Sequence, residues 1–152
     1  MVISIDNVTA SAKFSGYDYS ICSEIAAESG YISWCSTEYF RSSAKERFMS
    51  EVTVDKVTRG VCVCSDSMIP DSCEIEVLCI KSGFKRSGLA RKLLSHALRN
   101  MRALRYKRAF VWVNSRNTEA VSFFEKFGFA ADGKTRSGRY SAGEEQRLWI
   151  NI

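Results

Sequence analysis

Hydrophobic and polar positions recur along the chain with two periods, and the change from one to the other marks its elements. Val2–Ile5 alternates and predicts a first strand. Tyr17–Ser29 carries Ile21, Ile25 and Ala26 at helical spacing and predicts a short helix stopped by Gly30. Thr37–Phe48 predicts a second helix, with Thr37 as N-cap and Tyr39, Phe40, Ala44 and Phe48 apolar. Val52–Val54, Asp55-Lys56 and Val57–Cys64 read as a hairpin with a bulge at Gly60. Ser65–Ser72 is polar, contains the single proline, Pro70, and reads as a connection.

Cys73–Ile80 alternates as a strand. Strict alternation puts Cys73, Ile75, Val77 and Cys79 on one face, and Glu74, Glu76, Leu78 and Ile80 on the other. Lys81–Ser87 is a loop, and Gly88–Leu104 carries a helical stripe of Leu89, Leu93, Ala97 and Met101. Ala109–Val113 is a buried strand, and Thr118–Phe127 a helix between an Asn117 N-cap and Gly128. Phe129–Lys134 and Gln146–Ile152 predict a closing hairpin. Strand, helix and strand in succession predict an α/β layer fold with a right-handed parallel crossover. No repeat, low-complexity tract or linker interrupts this order, so residues 1–152 read as a single domain.

Composition narrows the class. The chain has 152 residues, 45% hydrophobic and 26% charged, which excludes wholesale disorder. No apolar run approaches the ~20 residues of a membrane helix, and no basic region followed by an apolar stretch opens the chain. The expectation is a cytoplasmic protein with no membrane partner. The six cysteines, at 22, 35, 62, 64, 73 and 79, form no C-x-x-C pair, and there is one histidine. That predicts free, mostly buried thiols in a reducing compartment and no metal site. Cys62 and Cys64 are two apart and share one strand face.

Charge redraws the picture more than composition does. The formal charge is +5, yet Lys81–Arg108 holds ten basic residues and no acidic one, leaving −5 for the rest. Such a segment is either a solvated helix face or a site for a polyanion. Its first part, Ile80-Lys81-Ser82-Gly83-Phe84-Lys85-Arg86-Ser87-Gly88-Leu89-Ala90, runs from a strand end through a basic loop into a helix. Unpaired N–H groups at a helix start attract anions, and Gly88 lets backbone approach a phosphate. Neither G-x-x-x-x-G-K-[ST] nor G-x-G-x-x-G is present.

Lys85-Arg86-Ser87-Gly88-Leu89-Ala90 resembles the [Q/R]-x-x-G-x-[G/A] signature of the GNAT superfamily, the acyl-CoA-dependent N-acetyltransferases. Asn117-Thr118-Glu119-Ala120-Val121-Ser122-Phe123-Phe124-Glu125-Lys126-Phe127-Gly128-Phe129 resembles its N-x-x-A-x-x-[FL]-Y-x-K-x-G-F helix and turn. The likeness covers Cys73–Phe129 well, and the first 50 residues only in their order of strand and helices. It implies a mixed, mostly antiparallel sheet with helices on both faces, and two parallel strands that splay to admit acetyl-CoA. It implies that backbone groups of Leu78 and Ile80, with Cys79 between them, pair with the pantetheine arm. Lys85, Arg86, Ser87, Gly88, Leu89 and Ala90 would hold the pyrophosphate, with Arg91 adding charge. Asn117 would bond near the thiol end.

The family's loop Gln or Arg is Lys85 here, and its helix Tyr is Phe124, which has no hydroxyl to protonate the departing thiolate. Tyr140 is a substitute acid by residue type. Glu74 and Glu76 are the candidate catalytic bases, and Glu74 ranks first because some family members place a catalytic Glu there. Two adjacent carboxylates raise one pKa, which suits a base near neutrality. Trp112 stands where certain ribosomal-protein N-acetyltransferases carry Glu. His96 falls opposite the leucine stripe and reads as surface; Cys79, assigned to the face away from Glu74 and Leu78, reads as packing.

The expected function is acetyl transfer from acetyl-CoA to a primary amine, in a monomer or homodimer. The acceptor is an amine-bearing small molecule or a protein. A weak acyl-CoA-binding protein is the first alternative. A nucleic-acid partner or RNA-linked amine, prompted by Arg99 to Arg108, stands last.

Overall fold

A computed structural model of the chain describes residues 5–10, 19–138 and 143–152, with side chains in the latter two ranges. The elements are β1 (Ile5–Ala10), α1 (Ser20–Ala27), α2 (Thr37–Glu46), β2 (Phe48–Val54), β3 (Val57–Asp66) and β4 (Ser72–Ile80). They continue with α3 (Leu89–Ala103), β5 (Arg108–Asn114), α4 (Thr118–Phe127), β6 (Ala130–Ser137) and β7 (Glu144–Asn151). The strands form one seven-stranded sheet in the order β1-β2-β3-β4-β5-β7-β6. Every neighbouring pair is antiparallel except β4–β5.

Helices cover both faces of the sheet, and each face has its own core. Leu93, Leu94 and Leu98 of α3 pack with Cys62, Ile75, Val111 and Leu148, and Phe124 of α4 joins them. Cys22 and Ala26 of α1 and Phe40 of α2 pack with Val61, Val63 and Val77 on the other side. No helix among the described residues is long and apolar enough to cross a membrane.

Local chemistry sets several boundaries. Asp55 and Lys56 adopt φ of 51° and 64°, the left-handed pair that turns a tight hairpin. The register passes from Val52↔Gly60 to Thr53↔Thr58, so Arg59 is the extra residue of a bulge beside Gly60. A Cβ at Gly60 would stand 2.5 Å from Ile80 Cδ1 and 2.8 Å from Val52 Cγ1, so only glycine fits. The N-cap of α2 is Ser36 rather than Thr37, its hydroxyl accepting from the Tyr39 N–H at 3.1 Å. Phe48 opens β2 instead of ending α2, and the first described strand is Ile5–Ala10, which runs past the Ile5 end expected for it. Pairing with β2 decides that strand, and a local pattern cannot show it. Residues 2–4 of the expected strand and residues 17 and 18 of the expected helix lie outside the described residues.

The strict alternation expected of β4 fails at one point. Its register with β3 passes from Cys64↔Ile75 to Val63↔Val77, leaving Glu76 as an extra residue. One inserted residue flips every side chain beyond it. Cys73 and Ile75 therefore face α3, whereas Val77 and Cys79 face α1 and α2, and Leu78 and Ile80 turn back toward α3. The six cysteines are all free thiols, with Cys62 and Cys64 side by side at 3.7 Å between sulfurs.

Candidate active site

The parallel ladder between β4 and β5 runs only from Ser72–Ile75 against Arg108–Val111. It stops where the Glu76 bulge begins, while β5 stays paired with β7 along its whole length. Beyond Ile75 the two strands share no ladder, and a groove of about 870 Å³ opens beside β4.

Most of the residues expected at a cofactor site meet in this groove. Leu78, Cys79 and Ile80 line it from β4. Lys85, Arg86, Gly88, Ala90 and Arg91 line it from the loop and the start of α3, and Asn117 and Phe124 from α4. Ser87 and Leu89 stand behind the lining: the Ser87 hydroxyl donates to the Phe84 carbonyl, and Leu89 is buried in the α3-side core.

The start of α3 has the form of an anion site. Gly88 is its N-cap at φ 84°, with no side chain capping the helix, and a Cβ there would meet open space. The first intrahelical bond is Lys92 N–H to the Gly88 carbonyl at 3.1 Å. The N–H groups of Leu89, Ala90 and Arg91 precede it and have no acceptor within the helix. Lys85, Arg86, Arg91 and Lys126 bring positive charge to the lining. At the mouth, Glu28 accepts from the Ser82 N–H and from Lys81 Nζ, each at 3.0 Å. The Ser82 N–H, with Lys81 beside it, holds this carboxyl below the usual range. Among the described residues no group of three or more His, Cys, Asp or Glu is placed to hold a metal ion.

The two carboxylates expected to act as bases do not line the groove. Glu76 lies on the α2 side of β4, with Tyr39 Oη donating to Oε1 and Arg47 Nε to Oε2, both at 3.0 Å. Burial, reinforced by Glu76, pushes the Tyr39 hydroxyl far above its ordinary value, and pushes the Cys35 thiol up to about 12. Glu74 pairs in register with Phe110, on the last stretch of β4 before the strands part. Cys79 is on the same side as Glu76, not on the face expected for it. Burial raises its thiol well above the ordinary value, so it stays protonated.

Asn117 caps α4, its Oδ1 accepting from the Ala120 N–H at 3.3 Å, and also lines the groove. Phe124 is 4% exposed and lies edge-on to Phe123 and Phe129. His96 is hydrogen-bonded to Asn100 at 3.2 Å, away from the groove. Trp112 carries the Arg136 guanidinium over its ring at 4.4 Å. Tyr140 lies outside the described residues. Sequence patterns had no means of finding Tyr39, Arg47 or Glu28. Their partners are 29 to 54 positions away, and nothing local marks them.

A family model described as an acetyltransferase (GNAT) domain matches residues 27–141. The chain belongs to the GNAT family. This GNAT domain shares its fold with Ard1 from Thermoplasma volcanium, at a TM-score of 0.82 and 19% identity over 96% of this chain and 97% of that one. The PaiA N-acetyltransferase of Thermoplasma acidophilum, solved with coenzyme A, matches at 0.80 and 18% over 99% and 100%. The ribosomal-protein-S18-alanine N-acetyltransferase of Escherichia coli matches at 0.79 and 16% over 96% and 93%. The single parallel pair in a mostly antiparallel sheet, with helices on both faces, is the GNAT architecture in this chain.

Proposed function

We propose that this GNAT domain transfers an acetyl group from acetyl-CoA to a primary amine by direct attack in a ternary complex. The parting of β4 from β5 beside the uncapped start of α3 carries this reading. Coenzyme A is a slender arm ending in phosphates, and the groove is apolar along β4 and cationic at α3. Open space at the Gly88 Cβ position is what close approach of a phosphate requires. Bound there, acetyl-CoA supplies a thioester whose thiolate, of pKa ~8.5, leaves readily near neutral pH.

The residues then have distinct tasks. First-turn N–H groups of α3, with Lys85, Arg86 and Arg91, hold the phosphates. Leu78 and Ile80 offer backbone groups to the arm where β5 no longer pairs with them. Asn117 keeps its Nδ2 for the thiol end while its Oδ1 caps α4. Glu74 takes the proton of the attacking amine. Glu76, fixed by Tyr39 and Arg47, is the second carboxylate that draws and orients the ammonium form. An α-amino group of pKa ~8 is about one-tenth neutral at pH 7, whereas a lysine amine of pKa ~10.4 is about 3.3 kcal/mol from neutrality. A base therefore matters most for lysine acceptors. A small-molecule amine and a protein amine both fit this scheme. Six free thiols support a reducing, cytoplasmic setting.

Phe124 favours a second reading, an acyl-CoA-binding protein with slow turnover, because it offers no proton to the leaving thiolate. General-acid help is worth about 10²–10⁴-fold, against accelerations of at least ~10⁶. Proximity and a polarised carbonyl supply the larger part, so the enzyme reading is preferred. Acetyl-CoA should raise the melting temperature, and Gly88→Glu should abolish the shift. Absence of any shift at millimolar acetyl-CoA would sink both readings. A shift without thiol release across a broad panel of amines would select the binding protein.

A further inference from the structure

The groove uses only half of the basic segment. Arg99, Arg102, Arg105, Lys107 and Arg108 stand in the last turns of α3 and beyond its end, with Arg99 already about 12 Å along the helix axis from Arg91 at the groove. All five are exposed, and none joins an ion pair among the described residues. Two acidic residues are hydrogen-bonded to this pole among the described residues. Asp66 accepts from the Tyr106 hydroxyl at 2.9 Å, and Asp71 gives its backbone carbonyl to the Lys107 and Arg108 N–H groups. Even with both side chains counted as charged, five cations against two carboxylates leave a positive excess. The negative end of the α3 dipole offsets only about half a charge.

The backbone at Arg105 points the same way. Tyr106 N–H bonds to the Met101 carbonyl and Arg105 N–H to the Arg102 carbonyl, both at 3.0 Å. This is a Schellman end, and its left-handed residue is Arg105 at φ 72°. Glycine fits that position best, because a Cβ strains it. An arginine there trades fold stability for a charge at the tip of the pole. Beside the cations, Leu104 is 53% and Phe48 40% exposed, and Phe48 lies edge-on to Tyr106.

We propose that this pole is a docking surface for the sugar–phosphate backbone of a nucleic acid, separate from the acetyl-transfer groove. Four of the five cations are arginines, whose planar fork matches phosphate oxygens. The exposed ring of Phe48 offers a face for an unstacked base beside the cations, and a nucleic acid carries phosphate and base together at that spacing.

The test is binding of a fluorescent RNA hairpin with a single-stranded loop, across a salt series. Five phosphate contacts predict about a 10²–10³-fold loss of affinity between roughly 50 and 200 mM salt. The triple variant Arg99→Glu, Arg102→Glu, Arg105→Glu should abolish binding while leaving the acetyl-CoA thermal shift unchanged. Arg105→Gly separates this role from a structural one: it should raise the melting temperature, weaken RNA several-fold and lower the salt slope by about 0.9. Wild-type RNA affinity in Arg105→Gly, or in the triple variant, would overturn the proposal. So would a poly-glutamate peptide of matched charge that binds as tightly, since the surface would then be one for acidic protein.

Discussion

Glu76 illustrates how one side chain's chemistry is set by its neighbours. Both its oxygens are already hydrogen-bonded, to Tyr39 and Arg47, which fixes the direction of the carboxylate. Proton removal then falls to Glu74 in the proposed reaction. Glu74→Gln should lower turnover much more at pH 6.5 than at pH 9, where an α-amine acceptor is already neutral without help. Equal loss at both pH values would assign Glu74 a structural role. Gly60 makes a separate prediction about stability. A methyl group there would press on Ile80 Cδ1 and Val52 Cγ1, so Gly60→Ala should destabilise the fold by about 1–3 kcal/mol in denaturant titration. An unchanged midpoint would mean that the bulge yields at no cost.

At the scale of elements, the bulge in β4 does the most to build the site. It ends the ladder with β5, turns Glu76 toward α2 and leaves Leu78 and Ile80 beside the open groove. The sequence marked this strand by its alternation, yet an alternation count gives every residue a face and cannot insert an extra one. The bulge at Gly60 was legible because glycine signals it within the strand itself. The α4 cap was legible for the same reason, since Asn117 and the N–H it accepts from are three residues apart.

The mouth of the groove joins two elements through Glu28, at the end of α1, and the Ser82 backbone after β4. Because the Ser82 N–H and Lys81 hold the Glu28 carboxyl below its ordinary value, the tie is complete above the unfolded-state value near 4.5. It is lost as pH falls through the lower folded-state value. Wild-type stability should therefore decline more steeply than that of Glu28→Gln below about pH 4.5, as read by thermal unfolding across pH. Parallel pH curves for the two proteins would show that the tie contributes nothing.

At the scale of the whole molecule, the basic charge lies in two places. The basic half of Lys81–Arg108 nearest β4 surrounds the groove, and the half nearest β5 forms the opposite pole. By itself the sequence determined the element types, the GNAT motifs and ten of the residues that line the groove. These depend on spacings of a few positions, where backbone period and capping act directly. Only the tertiary structure decided where β4 leaves β5, which carboxylate is tethered, and that the basic segment serves two ends of α3. Each of those depends on contacts between residues far apart in the chain, whose free energies arise from register, burial and charge pairing that no local window contains.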